Sequence, residues 1–248
     1  MPNAAASQLS ARYGAKGPSF AVSSACASGA QAIGLGAMLI RGGIVDRAIV
    51  GGAEACMTSS GMRSWEALRV LTPDACRPFS KDRSGMVLGE GAAVACLELG
   101  EKENALAYIE GIGYATDDIE HNISISDEAN CFQKSMKMAL ENTPIQEVDM
   151  VVMHAPGTIK GDNSEFKAIQ NVFEEKLPAL TTNKWKIGHT FGASGMLSIE
   201  LALLMLKNNQ GIDTPFYKNK SLKNINKVLV NAVGFGGNAV SILLTKNN

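Results

Sequence analysis

The chain has 248 residues, 46% of them hydrophobic, and 23 basic against 24 acidic side chains leave a formal charge of −1. That length can bury a sizeable core as one or two closely packed units, and the balanced charge offers no basic stripe for nucleic acid. The apolar stretches are broken by Gly or charge well before membrane-spanning length, and MPNAAASQLSARYG lacks the basic region and apolar core of a secretory signal. Five scattered cysteines without a CxxC pair suit a reducing cytosol, so a cytoplasmic protein is expected.

Helical and strand patterns alternate along the chain, which predicts an α/β architecture. A short helix is expected over residues 4–13 and a strand over 19–24, the latter running straight into a Gly/Ala-rich helix that reaches about Arg41. Cys26 stands at that junction, where unpaired N–H groups and the positive end of the helix dipole favour thiolate over thiol. A small buried cysteine in an apolar helix fits the same string. Strands are expected at 47–52, 92–98 and 108–114, a helix at 129–142, and a strand at 150–154. A helix at 164–175, a strand at 179–182, a helix at 192–207 and strands at 228–232 and 239–244 complete the chain. The runs SMKMAL and LALLMLK space their apolar residues as helical packing faces.

Two of the three histidines lie in loops rich in Gly, Thr and Lys that follow apolar runs. His154 sits in VVMHAPGTIKGDNSE and His189 in KWKIGHTFGASGMLSIE. One Cys with His elsewhere in sequence is the expected form of a spatially assembled thiol site. His121, in the charge-rich stretch EHNISISDE, reads as belonging to a solvated loop and is given no role.

The order S-x-A-C-A-S-G, then A-x-V-G-G-A-E-A at Ala48 to Ala55, then R-P-F-x-x-D-R-x-G-x-V-x-G-E-G at Arg77 to Gly91 resembles the elongating, decarboxylative β-ketoacyl-acyl carrier protein synthases. His154 is followed by Gly157, Thr158, Gly161, Asp162 and Glu165 as in that family's H-G-T-x-T-x-x-G-D-x-x-E. Lys184 stands five before His189, with Gly188, Gly192, Ala193, Gly195 and Glu200 taken as matching K-S-x-x-G-H-x-x-G-A-x-G-x-x-E. NAVGFGGNA is similar to the glycine-rich strand with a gating Phe, here Phe235.

The resemblance implies a thiolase-like, five-layered αβαβα fold with an incomplete N-terminal half: residues 1–100 as the remainder of that half, carrying the nucleophile Cys26, and residues 101–248 as the C-terminal half, carrying His154 and His189. Roughly the first third of the family's catalytic domain has no counterpart. Its strands belong in the middle of the first sheet, and their absence exposes ladder groups and apolar faces. The chain is therefore expected to be a fragment of a longer protein or one member of a split enzyme, and homodimers or heterodimers are the family's habit. Cys26 would take an acyl group from the phosphopantetheine of an acyl carrier protein, and backbone N–H groups near Cys26 and Phe235 would form an oxyanion hole. His154 and His189 would stabilise the enolate left when a malonyl thioester loses carbon dioxide. Lys184 and Glu200 would orient the histidines, and no metal or redox cofactor is expected. Arg63, Arg69 and Lys81 could meet an acidic carrier, though a solvated face is the commoner reading.

Ala155 and Pro156 stand where the family usually has Gly and Thr, Trp185 replaces a small Ser, and Val233 replaces an aromatic. The reading is a fatty acid condensing enzyme, with a ketosynthase of a polyketide or polyene pathway beside it. A non-catalytic partner subunit is the third reading, but such subunits typically lose the nucleophile, which Cys26 retains. A degradative thiolase would carry a second reactive Cys in its C-terminal half, where only Cys131 occurs.

Overall fold

The computed structural model describes residues 1–118, 125–219, 222 and 224–247. His121 and some of its loop lie outside the described residues. In chain order the elements are α1 (Ala4–Tyr13), α2 (Ser28–Arg41), β1 (Arg47–Glu54), α3 (Ser59–Ala67), β2 (Gly91–Glu98), β3 (Ala107–Thr116) and α4 (Asn130–Ala139). They continue with β4 (Met150–Val152), α5 (Ile159–Phe173), β5 (Ala179–Thr181), the single turn α6 (Lys184–Ile187), α7 (Ser194–Asn208), β6 (Lys227–Gly234) and β7 (Asn238–Lys246).

The second half is built on a five-stranded mixed sheet in the order β3-β7-β6-β4-β5. β7 runs antiparallel to both β3 and β6, while β4 lies parallel to β6 and to β5. Both faces are apolar because the strands alternate hydrophobic residues to either side. Val228, Val230, Ala232, Val240 and Ile242 join Met196, Ile199, Ala202 and Met205 of α7 in one core. Leu229, Leu243 and Val151 join Phe132 and Met136 of α4 and Ile169 and Phe173 of α5 in another.

The first half is a two-stranded antiparallel ribbon, β1 with β2, paired from Arg47↔Glu98 to Glu54↔Gly91. Helix α2 lies between this ribbon and the larger sheet, and glycine makes the fit possible. A Cβ on Gly34 would fall 1.9 Å from the hydroxyl oxygen of Tyr114 in β3, and one on Gly36 would fall 2.6 Å from Val50 of β1. The layers are thus ribbon, α2 with α7, five-stranded sheet, and α4 with α5, four of the five layers expected. Among the described residues no helix covers the outer face of the ribbon, where Ile49 and Val94 are exposed.

The strand expected at 19–24 does not form: residues 18–23 are irregular and Phe20 is exposed. A strand needs a ladder partner, and this segment has none among the described residues. Helix α3 is an addition to the expected elements. Its Ser/Gly-rich start hides a cap in which Thr58 Oγ1 accepts from the Gly61 N–H at 3.1 Å, and none of its residues is buried. Helix α5 begins at Ile159, five residues before the expected start, so that Asp162 and Glu165 lie on its first turns and face inward. No helix among the described residues is long and apolar enough to cross a membrane.

Candidate active site

Cys26 is presented by a tight turn ahead of α2. Ala25 adopts a left-handed φ of 49°, the Ser28 hydroxyl donates to the Ala25 carbonyl at 2.6 Å, and the Ser24 N–H donates to the Ser28 hydroxyl at 3.0 Å. A left-handed non-glycine residue costs conformational energy, and here that cost falls beside the thiol. The end of β6 closes over the turn: a Cβ on Gly234 would meet the Ser24 carbonyl oxygen at 2.2 Å and the Cys26 nitrogen at 3.2 Å. Phe235 follows directly, half-buried, with its ring 5.7 Å from that of Trp65.

His189 occupies the loop between α6 and α7, pinned at both backbone groups. Its N–H donates to the Val87 carbonyl at 2.7 Å and its carbonyl accepts from the Gly89 N–H at 2.9 Å. Its Nε2 lies 3.2 Å from Cys26 Sγ and its Nδ1 lies 3.1 Å from the hydroxyl of Ser194. The close approach of α7 to α2 sets this distance, since a Cβ on Gly195 would be 2.8 Å from the Ala30 nitrogen. His154 emerges from the end of β4 and meets His189 edge to face, ring centroids 5.1 Å apart at 87°. Glu165 anchors it from below: Oε1 accepts from the His154 N–H at 2.9 Å and Oε2 from the Ala155 N–H at 2.8 Å. Asn231 of β6 adds a further donor to Glu165 at 3.3 Å and accepts from Ser241 at 2.8 Å.

Asp162, three residues earlier on the same helix, has a similar anchoring role: it accepts from the Gly157 and Phe79 N–H groups at 3.0 and 3.1 Å. Arg83 Nε lies 3.4 Å from its carboxylate, and Arg77 pairs with Asp74 and Asp82. The R-P-F-x-x-D-R segment is thereby fastened over the His154 loop. Lys184 is buried between these groups, with Nζ donating to Asn183 Oδ1 at 3.3 Å.

Burial governs the protonation of the whole cluster. It pushes the Cys26 thiol up to about 12, with the nearby Lys184 charge pulling the other way. Burial, with the Lys184 charge adding to it, takes His189 down to about 3. It lowers His154 well below the usual imidazole range, helped by His189 and Lys184. Burial lifts Glu165 to about 7 and Asp162 to about 6 against their backbone N–H donors, and drops Lys184 to about 8 against its acidic neighbours. Two neutral imidazoles facing a protonated thiol can donate hydrogen bonds to an oxygen that develops charge between them.

The structure brings together Cys26, His154, His189 and Lys184, and sets Phe235 on the rim. It does not bring in Glu200, which lies exposed on α7 with Leu204 and Lys207 beside Ala105 and Leu106. Counting from Lys184, the glutamate position of the motif is occupied by buried Ser198; Glu200 is two residues on, about 200° around the helix, and faces outward. Glu165, which matches the motif after His154 but is given no role there, is the carboxylate that serves the histidine loop. Phe191, Trp65 and Ser194 escape a reading of the sequence alone. Phe191, left-handed at φ 43°, stacks on Trp65 at 4.5 Å and lies 4.7 Å from His189, walling one side of the site. Arg63, Arg69 and Lys81 are all exposed.

Known proteins resemble the chain along most of its length. Residues 1–103 match the N-terminal domain of β-ketoacyl synthase, and residues 106–215 match its C-terminal domain. The chain is 36% identical to nodulation protein E of Rhizobium leguminosarum bv. trifolii, over 87% of this chain and 55% of that protein. It is 33% identical to 3-oxoacyl-[acyl-carrier-protein] synthase 2 of Coxiella burnetii, over 98% of this chain and 66% of that one. The ketosynthase of Xenorhabdus doucetiae, solved in complex with its chain length factor, superposes with a TM-score of 0.88 at 28% identity, over 100% of this chain and 65% of its own. The chain thus spans between about half and two thirds of the relatives it matches, and two adjoining domains of one family account for most of its length. It belongs to the β-ketoacyl synthase family.

Proposed function

We propose that the site catalyses decarboxylative condensation, as a 3-oxoacyl-[acyl carrier protein] synthase. The observation that carries this is the Cys26 Sγ to His189 Nε2 distance of 3.2 Å with His154 edge-on to the same ring. The Cys26 sulfur attacks the thioester carbonyl of an acyl group carried on phosphopantetheine, and its proton passes to the carrier sulfur, which leaves as the thiol. The positive end of α2 and the N–H of Cys26 favour the charge that forms. A malonyl thioester then loses carbon dioxide, and the bonding pair moves into an enolate whose oxygen accepts hydrogen bonds from the two neutral imidazoles. The enolate carbon attacks the acyl-Cys26 carbonyl, the Cys26 thiolate departs, and a 3-oxoacyl chain two carbons longer remains on the carrier. This sequence of steps calls on no metal or redox cofactor.

Glu165 holds the His154 loop through two backbone N–H groups, and the Lys184 charge adds to burial in keeping both imidazoles neutral. The partner this chemistry requires is an acyl carrier protein, and the similarity to a ketosynthase solved with its chain length factor favours assembly with a second condensing-enzyme subunit. The stacked Trp65 and Phe191 beside the thiol favour a second reading for the substrate, a polyketide or polyene intermediate, whose flat conjugated chain packs on such a wall.

The test is intact-protein mass spectrometry of the chain incubated with acyl-loaded carrier protein, with the adduct mapped by peptide. An acyl mass on Cys26 and on none of Cys56, Cys76, Cys96 or Cys131, followed by a product two carbons longer on addition of malonyl carrier, is the expected result. Acylation absent from Cys26 overturns the proposal. Saturated and conjugated acyl donors compared side by side separate the two substrate readings.

A further inference from the structure

We propose that Ser194 is the positioning residue of His189, its hydroxyl donating to Nδ1 and so holding the ring proton on Nε2, the nitrogen that faces Cys26. A neutral imidazole carries one N–H, and which nitrogen bears it is set by the partner of the other. His189 is neutral in this site because burial and the neighbouring Lys184 oppose its charge. Its two nitrogens have different partners, Ser194 Oγ at 3.1 Å from Nδ1 and Cys26 Sγ at 3.2 Å from Nε2.

The direction of the hydrogen bond follows from what else the Ser194 hydroxyl does. Thr190 Oγ1 donates to Ser194 Oγ, at a long 3.5 Å, so the serine oxygen already accepts and its own hydrogen needs an acceptor. Thr190, Ser194 and His189 are all buried, which makes an unpaired hydroxyl hydrogen costly. Nδ1 is the acceptor at hand. The relay therefore runs from Thr190 to Ser194 to His189 Nδ1, and Nε2–H is left pointing at the sulfur.

The serine itself is held fast. It is the first residue of α7, its backbone N–H is bonded to the Phe191 carbonyl, and the next residue, Gly195, is wedged against Ala30 of α2. The inference rests on the condensing reading for its catalytic meaning, because only a donor at Nε2 can hydrogen-bond a developing thiolate or enolate oxygen. His189 then acts as a hydrogen-bond donor and not as the base for the Cys26 proton.

The tautomer is read directly by two-bond proton–nitrogen correlation spectra of the full chain labelled with ¹⁵N-histidine, with His154→Gln and His121→Gln used for assignment. The wild-type His189 ring is expected as the Nε2–H form. Ser194→Ala shifts it to the Nδ1–H form or to an exchanging mixture, Ser194→Thr keeps it, and the His154 signals stay in place as the check on folding. A wild-type ring in the Nδ1–H form overturns the proposal, as does an unchanged ring in Ser194→Ala. Should Ser194→Ala fail to fold, the wild-type spectrum and Thr190→Val, which removes the upstream donor and is expected to admit the second tautomer, still decide. With acyl and malonyl carriers, Ser194→Ala is expected to lower kcat by at least about tenfold with little change in KM, since the lost donor acts on the developing charge. A chain that performs no condensation yet shows the Ser194-dependent tautomer refutes the condensing reading alone.

Discussion

The five-stranded sheet is packed on both faces, whereas the β1–β2 ribbon is packed on one, and the groups of the candidate site divide along the same line. His154, His189, Lys184 and Glu165 all hang from the large sheet and its helices, where β6 and β7 are buried through most of their length. Cys26 belongs to the ribbon half, whose outer face offers Ile49, Val94, Ala53, Ala92 and Cys96 to solvent, with Val94 50% exposed. The imidazoles are thus set by a closed core. The thiol depends on α2, which is shared between the halves. A site built this way presets the groups that the proposed condensation requires to stay in place.

The comparison breaks most sharply with Leu229→Ala in the middle of β6. That fully buried side chain is expected to cost about 2–5 kcal/mol in urea unfolding, through lost transfer energy plus the cavity left behind. Next comes Gly195→Ala, which forces α7 away from α2. An expected loss of about 1–3 kcal/mol from overpacking is accompanied by slower acylation of Cys26, because His189 is carried off with the start of α7.

Glu165 sharpens the picture through pH. Its carboxyl titrates near 4.5 when unfolded and near 7 when folded, so between those values the folded chain holds a proton that the unfolded chain has released. Stability is therefore expected to fall as pH rises from about 4.5 to 7, and to level off above. Glu165→Gln abolishes this contribution to the slope in denaturant midpoints measured across the range. A slope unchanged in the variant means that another group carries it. The smallest effect belongs to the ribbon: Val94→Thr on the open face is expected to change stability by no more than about 0.5 kcal/mol. A cost near that of Leu229→Ala would show that the face is covered in solution.

The histidine loops are legible in the sequence because both are Gly-rich turns after apolar runs, His154 just past the end of β4 and His189 between the short α6 and α7. The apolar runs that place β6 and β7 are equally local information. What the sequence conceals depends on partners far along the chain. Phe20 to Ser24 has strand composition yet no ladder, and α3 is held by a threonine cap with no buried face to betray it. Glu200 matches a motif by type, and a two-residue displacement on a helix is enough to turn it away from the site. Ser194 is a small polar residue at a helix start, ordinary in sequence, and only the fold shows that its hydroxyl meets an imidazole.

The pair of glycines in α2 turns that helix into a gauge block. Backbone, with no side chain to repack, meets Tyr114 on one side at Gly34 and Val50 on the other at Gly36. The spacing between the two sheets is consequently set by bare helix backbone seated against the Tyr114 ring on one side and the Val50 methyl on the other. Substitutions on the outer face of the ribbon leave those seats untouched, so the surface of this half is free to diversify while the sulfur stays at the same distance from its imidazole.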